Sequence, residues 1–266
     1  MLRDITIGKY YPSGSVVHSL DPRTNLGGTL LFIISLFIAN EWQCYIAAAV
    51  FLYFCIRLSK VPLRYIVKGL KAVLFLLLFS VVFNLFLTPG DVLVGLGPVR
   101  ITRQGLIQAL YMAARLIFLI MGSSLMTFTT TPNALTDGME KSLSLLKVVH
   151  APVHEIAMMM NIALRFIPIL TDETDKIMKA QMARGADFET GSLVRRAKAL
   201  IPLLVPLFIS AFRRASDLAM AMEARCYHGG EGRTKMRPLR WKREDAIAWL
   251  ILAAYIAVMV ILKKVL

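Results

Sequence analysis

The sequence predicts an all-α polytopic membrane protein with about five transmembrane helices and a helical cytoplasmic module between the last two. Three observations carry this prediction. The 266 residues are 57% hydrophobic with a mean hydropathy of +0.62, above the apolar share of about 45–50% usual in soluble domains. Five apolar stretches reach or approach the roughly 20 residues that a spanning helix needs. The net charge is +14, and the cations gather in some connections and are missing from others. Cytoplasmic loops of membrane proteins produce that pattern.

Residues 26–40 and 42–58 are two short spans joined so closely that they form a hairpin. Residues 65–88 make a third span that ends in the turn Thr88-Pro89-Gly90, residues 104–129 a fourth and residues 246–262 a fifth. Arg57, Lys60, Arg64, Lys68 and Lys71 lie between or near the second and third spans with no acid among them, so that connection is expected on the cytoplasmic side. Alternation then puts the 89–103 loop outside. It divides the chain into an N-terminal membrane domain with four helices (1–130), a cytoplasmic module (131–243) and a C-terminal transmembrane helix (244–266).

Within the module, Thr131-Pro132 reads as an N-cap followed by proline at the first helical position. Pro152 is expected to open a helix over 153–166 that Pro168 ends or kinks. Thr171 is expected to cap the next helix, with Asp172, Glu173 and Asp175 where the helix dipole favours acids, and that helix runs to Arg184. Another long helix is expected over about 206–226. The apolar run 199–212 holds Pro202 and Pro206 and is short for a span; were it to cross, it would be a sixth.

Several chemistries are missing. No G-x-x-x-x-G-K-[ST] loop is present to cradle a nucleotide. Glu155 follows His154, but Met158 stands where a second zinc histidine would be needed. Cys44, Cys55 and Cys226 are far apart and odd in number, which supports neither a disulfide framework nor a metal site. Inside the spans only Arg115 is a candidate ionisable group and Asn84 a polar one, each explicable as helix packing. No catalytic pair can be assembled there for an intramembrane enzyme, and the halves of the chain do not read as the inverted repeats of a secondary transporter.

One pattern occurs twice. Ala183-Arg184-Gly185 and Ala224-Arg225-Cys226 each place an arginine between small residues at the expected end of a helix. An arginine there meets unpaired carbonyls and the negative end of the dipole. That explains one arginine but not the repeated spacing. Small neighbours also let another protein's backbone approach, so that the forked guanidinium reaches a carboxylate or a helix end on a partner. Leu218, Ala221 and Met222, just before the second tag, would give that helix a small, adaptable surface suited to a groove.

Three blocks, in order, resemble one family: the transmembrane component of energy-coupling factor transporters, EcfT, with its cobalt-transport relatives CbiQ. GKYYPSGSVVHSLDPRTNL (8–26) is similar to its N-terminal signature, with Asn25 in place of the usual lysine. IALRFIPILTDETDKIMKAQMARGADF (162–188) and PLFISAFRRASDLAMAMEARCYHGGEGRT (206–234) resemble its two Ala-Arg-Gly blocks. The second tag departs at Cys226, where a left-handed backbone would be less comfortable than at glycine. The resemblance implies a non-catalytic subunit of a bacterial cell membrane, without cofactor or nucleic acid. Its partners would be two ATP-binding-cassette ATPases gripped by the two tags and a substrate-binding S component that takes up a vitamin or a metal ion.

The topology is open to cysteine labelling in a cysteine-free chain. A Glu140→Cys variant is expected to react with an impermeant maleimide only after the membrane is opened, and Lys264→Cys to react in intact cells. Labelling of position 140 from outside would overturn the orientation.

Overall fold

The computed structural model describes residues 10–39, 41–96, 99–144, 152–188, 192–230, 232, 234, 236 and 238–265. The chain divides into two compact units, one of Gly8–Ser142 with Leu239–Leu266 and one centred on Leu143–Pro238.

The first unit is a helical bundle. Its elements are α1 (Val16–Ser19), α2 (Pro22–Ile38), α3 (Trp42–Ser59), α4 (Leu63–Leu87), strands β1 (Val92–Leu96) and β2 (Val99–Thr102), α5 (Arg103–Thr129), α6 (Pro132–Ser142) and α9 (Arg243–Val265). The strands pair antiparallel, with Gly95 opposite Arg100. The 89–103 connection is therefore largely a two-stranded ribbon, which the β-branched Val92, Val94, Val99 and Ile101 favour.

The segment 10–21 meets one end of each of the five long helices of this unit. The Tyr11 N–H donates to the Phe128 carbonyl at 2.9 Å, the Ser13 hydroxyl donates to the Ser59 carbonyl at 2.9 Å, and the Tyr11 ring lies 5.4 Å from that of Tyr65. The Asp21 N–H donates to Asp245 Oδ1 at 2.8 Å, while Asp245 Oδ2 accepts from the Lys242 N–H at 2.9 Å. Asp245 is fully buried. Its carboxylate reaches back to the N-cap N–H of α9, the acidic half of a capping box, and at the same time takes up an N–H at the start of α2. Asp21 caps α2 through the Arg23 N–H at 3.0 Å.

The apolar core lies among α2, α3, α4, α5 and α9. Leu36, Ala48 and Ile66 are fully buried there. The Phe51 ring stacks on that of Tyr255 at 4.4 Å, and the Tyr255 hydroxyl is 2.9 Å from Ser35 Oγ, so neither polar group is left bare. Gly122 lets α5 meet α2: a Cβ there would lie 2.7 Å from the Phe32 ring. Exposed residues such as Phe75 and Leu250 face outward, as lipid-facing side chains do.

Arg115 and Asn84 both serve packing. Arg115 Nη2 donates to the Ala39 carbonyl at 3.0 Å, and its guanidinium lies 5.8 Å from the Phe37 ring centre. It thereby caps the C-terminus of α2, which at 17 residues is only about 26 Å long. The α2–α3 turn thus reaches only the middle of α5, and the α4–α5 hairpin continues past it. Asn84 Nδ2 donates to the Ser80 carbonyl of its own helix.

The second unit contains α7 (Val153–Ala183) and α8 (Leu193–Glu223), each of 31 residues. The expected breaks inside them do not occur. Pro168 lies inside α7, and Pro202 and Pro206 lie inside α8. Thr171 does not cap a new helix; its hydroxyl donates back to the Ile167 carbonyl at 2.8 Å, and Thr174 does the same to Leu170 at 2.7 Å. A helical proline forfeits one N–H bond to the carbonyl four residues earlier. The turns on either side are intact, and the helix passes through that loss.

Among the described residues five helices are long and apolar enough to cross a membrane: Trp42–Ser59, Arg103–Thr129, Val153–Ala183, Lys198–Glu223 and Arg243–Lys264. The bent pair Leu63–Lys71 and Val73–Leu87 would make a sixth, and Pro22–Ile38 is a shorter apolar helix. The number matches the sequence expectation, but the membership differs: α7 and α8 are long and apolar enough to cross, whereas α2 is short and α4 is bent.

Asp245→Ala would strand the buried Asp21 N–H, at a cost of about 1–3 kcal/mol, and leave the part-buried Lys242 N–H to water. Thermal unfolding of the purified chain in detergent is expected at a clearly lower temperature for this variant, with Asp245→Asn intermediate. An unchanged melting temperature would remove the clasp from the account of the fold.

Candidate functional site

The two arginine tags fold identically. In the first, the Gly185 N–H donates to the Met182 carbonyl and the Ala186 N–H to the Gln181 carbonyl, both at 3.0 Å. In the second, the Cys226 N–H donates to the Glu223 carbonyl at 2.8 Å and the Tyr227 N–H to the Met222 carbonyl at 3.0 Å. Each is a Schellman ending, in which the bonds run from the two residues after the cap back into the last turn. Arg184 and Arg225 occupy the cap position, Ala183 is the last residue of α7 and Ala224 the first after α8, and Gly185 and Cys226 are the residues after the cap.

The residue after the cap must be left-handed, and both are: φ is +87° at Gly185 and +55° at Cys226. The discomfort expected at Cys226 is therefore present. It is one of two non-glycine residues with positive φ among the described residues, the other being Lys60, which ends α3. Glycine takes this conformation freely, whereas an L-residue with a Cβ is disfavoured by about 1–2 kcal/mol.

All six tag residues are exposed. Among the described residues neither guanidinium has a hydrogen-bond or salt-bridge partner, and nothing links one tag directly to the other. Each is presented at the tip of a rod of about 46 Å. Ala221 is exposed, and Leu218 and Met222 are half-buried. Ala221 and Ala224 are three apart on one side of α8, beside Arg225.

Sequence reasoning missed the contact that fastens the rods. Arg214 Nη2 of α8 lies 3.5 Å from Glu173 Oε2 of α7. Both are partly exposed, so the pair contributes little to stability, but it marks where the helices meet. Glu173 was hidden because the acids at 172–175 resemble the first turn of a helix, whereas they lie well inside α7. Among the described residues no cluster of three His, Cys, Asp or Glu could hold a metal; His150 lies outside them.

A family model described as Cobalt transport protein, CbiQ, matches residues 13–236. The chain is 53% identical over 249 residues to the energy-coupling factor transporter transmembrane protein EcfT of Thermosediminibacter oceani, covering 94% of each chain. It is 54% identical to that of Clostridium kluyveri, over 94% of this chain and 93% of the relative. It is 47% identical to that of Bacillus subtilis, over 96% and 97%.

The strain at Cys226 is testable. Cys226→Gly is expected to slow hydrogen exchange at amides 224–228 by about fivefold, the factor that releasing roughly 1 kcal/mol of strain gives. Gly185→Ala, whose Cβ would meet no atom within 4 Å, is expected to speed exchange at 183–187 by a similar factor through backbone strain alone. No change at either end would mean that the left-handed positions do not matter.

Proposed function

The chain belongs to the EcfT/CbiQ family of energy-coupling factor transporter transmembrane proteins, multi-pass proteins of the bacterial cell membrane, and we propose that it is the non-catalytic subunit that transmits ATP-driven movement. In this reading residues 131–243 are the cytoplasmic coupling module. Arg184 and Arg225 dock on two ABC-type ATPases, and the subunit passes their closure to a substrate-binding S component for uptake of a vitamin or a metal ion.

The observation that carries the reading is the repeated Schellman ending, which presents the same exposed arginine with the same small neighbours on two helices. A guanidinium that needs no partner within its own chain is free to take a carboxylate or a helix C-terminus elsewhere. Two equivalent ends suit two equivalent receivers.

A second reading follows from the hydropathy of α7 and Lys198–Glu223, which would have these helices cross the bilayer. Against it, Asp172, Glu173, Asp175, Lys176 and Lys179 lie on α7 and Arg213, Arg214 and Asp217 on α8. Charges at the bilayer centre cost at least about 2.5–3.5 kcal/mol each on insertion scales. Apolar halves lying against membrane or partner subunits, with charged halves in water, avoid that cost.

Arg184→Ala and Arg225→Ala are each expected to reduce ATPase recovery in pull-downs at least tenfold. Removing one member of a desolvated charge pair typically costs about 2–5 kcal/mol, against about 0.3–1 for an arginine acting only on its own helix dipole. Ala221→Trp and Ala224→Trp are expected to lose coupled transport, whereas Ala254→Trp in α9 retains the ATPases. Wild-type coupling in the double arginine variant would reduce the tags to helix ends.

A further inference from the structure

The chain is tied down soon after the second tag. Two left-handed residues turn it, Cys226 with φ +55° and Gly229 with φ +100°. His228 Nδ1 lies 2.8 Å from the Cys226 carbonyl, which accepts across the turn. The turned segment lays Gly230 on the first turn of α7. A Cβ at Gly230 would lie 2.7 Å from Cγ and 2.8 Å from Nε2 of His154, nearer than unbonded heavy atoms of this kind approach. Gly230 and His154 are both half-buried.

The two glycines serve different ends. Gly229 supplies a left-handed backbone, and a Cβ there would meet nothing within 4 Å. Gly230 has no positive φ; what its site excludes is volume. A side chain at 230 would have to displace an imidazole ring, and a packed contact does not absorb that without strain. The glycine of the first tag is not seated in this way: around Gly185 a Cβ would meet nothing within 4 Å.

His154 stands roughly 28 Å of helix before Glu173, and Arg225 roughly 16 Å of helix past Arg214. The Glu173–Arg214 contact alone would let α8 pivot on α7. A second attachment, far from the first, fixes the angle between them. The strap begins inside the tag, since Cys226 belongs to both, so no slack chain separates them. We propose that Gly230 and His154 are positioning residues for the second tag: the segment 226–230, seated on the start of α7, sets the direction in which Arg225 is presented. The use made of Arg225 rests on the docking reading above; the seat itself does not.

The test exchanges volume across the seat in the full chain, purified in detergent, with spin labels at Lys176→Cys and Met220→Cys in an otherwise cysteine-free background. Both positions are exposed, one on each helix. Gly230→Val is expected to broaden the distribution of distances between the labels. His154→Ala, which removes the ring and adds no bulk, is expected to broaden it too, and decides if Gly230→Val does not fold. Gly230→Val combined with His154→Ala puts the volume back and is expected to restore the distribution. ATPase recovery in pull-downs is expected to follow, down about tenfold in each single variant, the scale of a misfitted contact, and regained in the double. Distances unchanged by both single variants, or a double variant broader than either, overturn the proposal. Arg225→Ala separates the two readings. Full ATPase recovery in that variant, with distances that still answer to Gly230→Val, sinks docking and leaves the seat; lost recovery, with distances that ignore Gly230→Val, sinks the seat alone.

Discussion

A single carboxylate holds the starts of two helices that are far apart in the chain. Asp245 is fully buried, yet among the described residues it has no salt-bridge partner. Its charge is met by backbone N–H groups, those of Lys242 and Asp21, at the positive ends of α9 and α2. A buried charge without such partners would cost several kcal/mol. The arrangement therefore admits one registry of α2 against α9. That registry sets the Trp249 ring on Gly27, where a Cβ would lie 3.2 Å from it. It also brings Tyr255 to Phe51 and Ser35.

Hydropathy and cation placement locate most of the bundle from sequence alone, because bilayer thickness dictates how much apolar chain a span must contain. They locate α3, α5 and α9 closely. They misplace the start of α2, since Pro22–Asn25 is polar and helical at once: Asp21 supplies the cap and Pro22 the first residue. The 92–102 ribbon was hidden in a short connection. Inside α7 and α8, prolines and threonines that read locally as boundaries are overridden by the helix on either side. Local signals rank the options at a boundary; the cost of one lost hydrogen bond is too small to decide against a long helix.

The tags were legible as a repeat, and capping and docking are compatible in them. A Schellman ending satisfies the last carbonyls with backbone N–H groups, so the arginine at the cap is not needed for that purpose. Its side chain is free for contacts outside the chain, with the helix dipole still in its favour. The Glu173–Arg214 contact was not legible, because it depends on how two helices cross and not on either one alone.

That contact has a mechanical consequence. Counting from Glu173 to Arg184 and from Arg214 to Arg225 gives the same number of residues, roughly 16 Å of helix at 1.5 Å per residue. The ion pair is thus a fulcrum with two equal arms, each tipped by the same fitting. In the proposed coupling role, a scissoring of the helices about it would move both arginines through equal arcs, giving neither ATPase a mechanical advantage over the other. The prolines lie beyond the fulcrum from the tips, which leaves the loaded arms as unbroken helix.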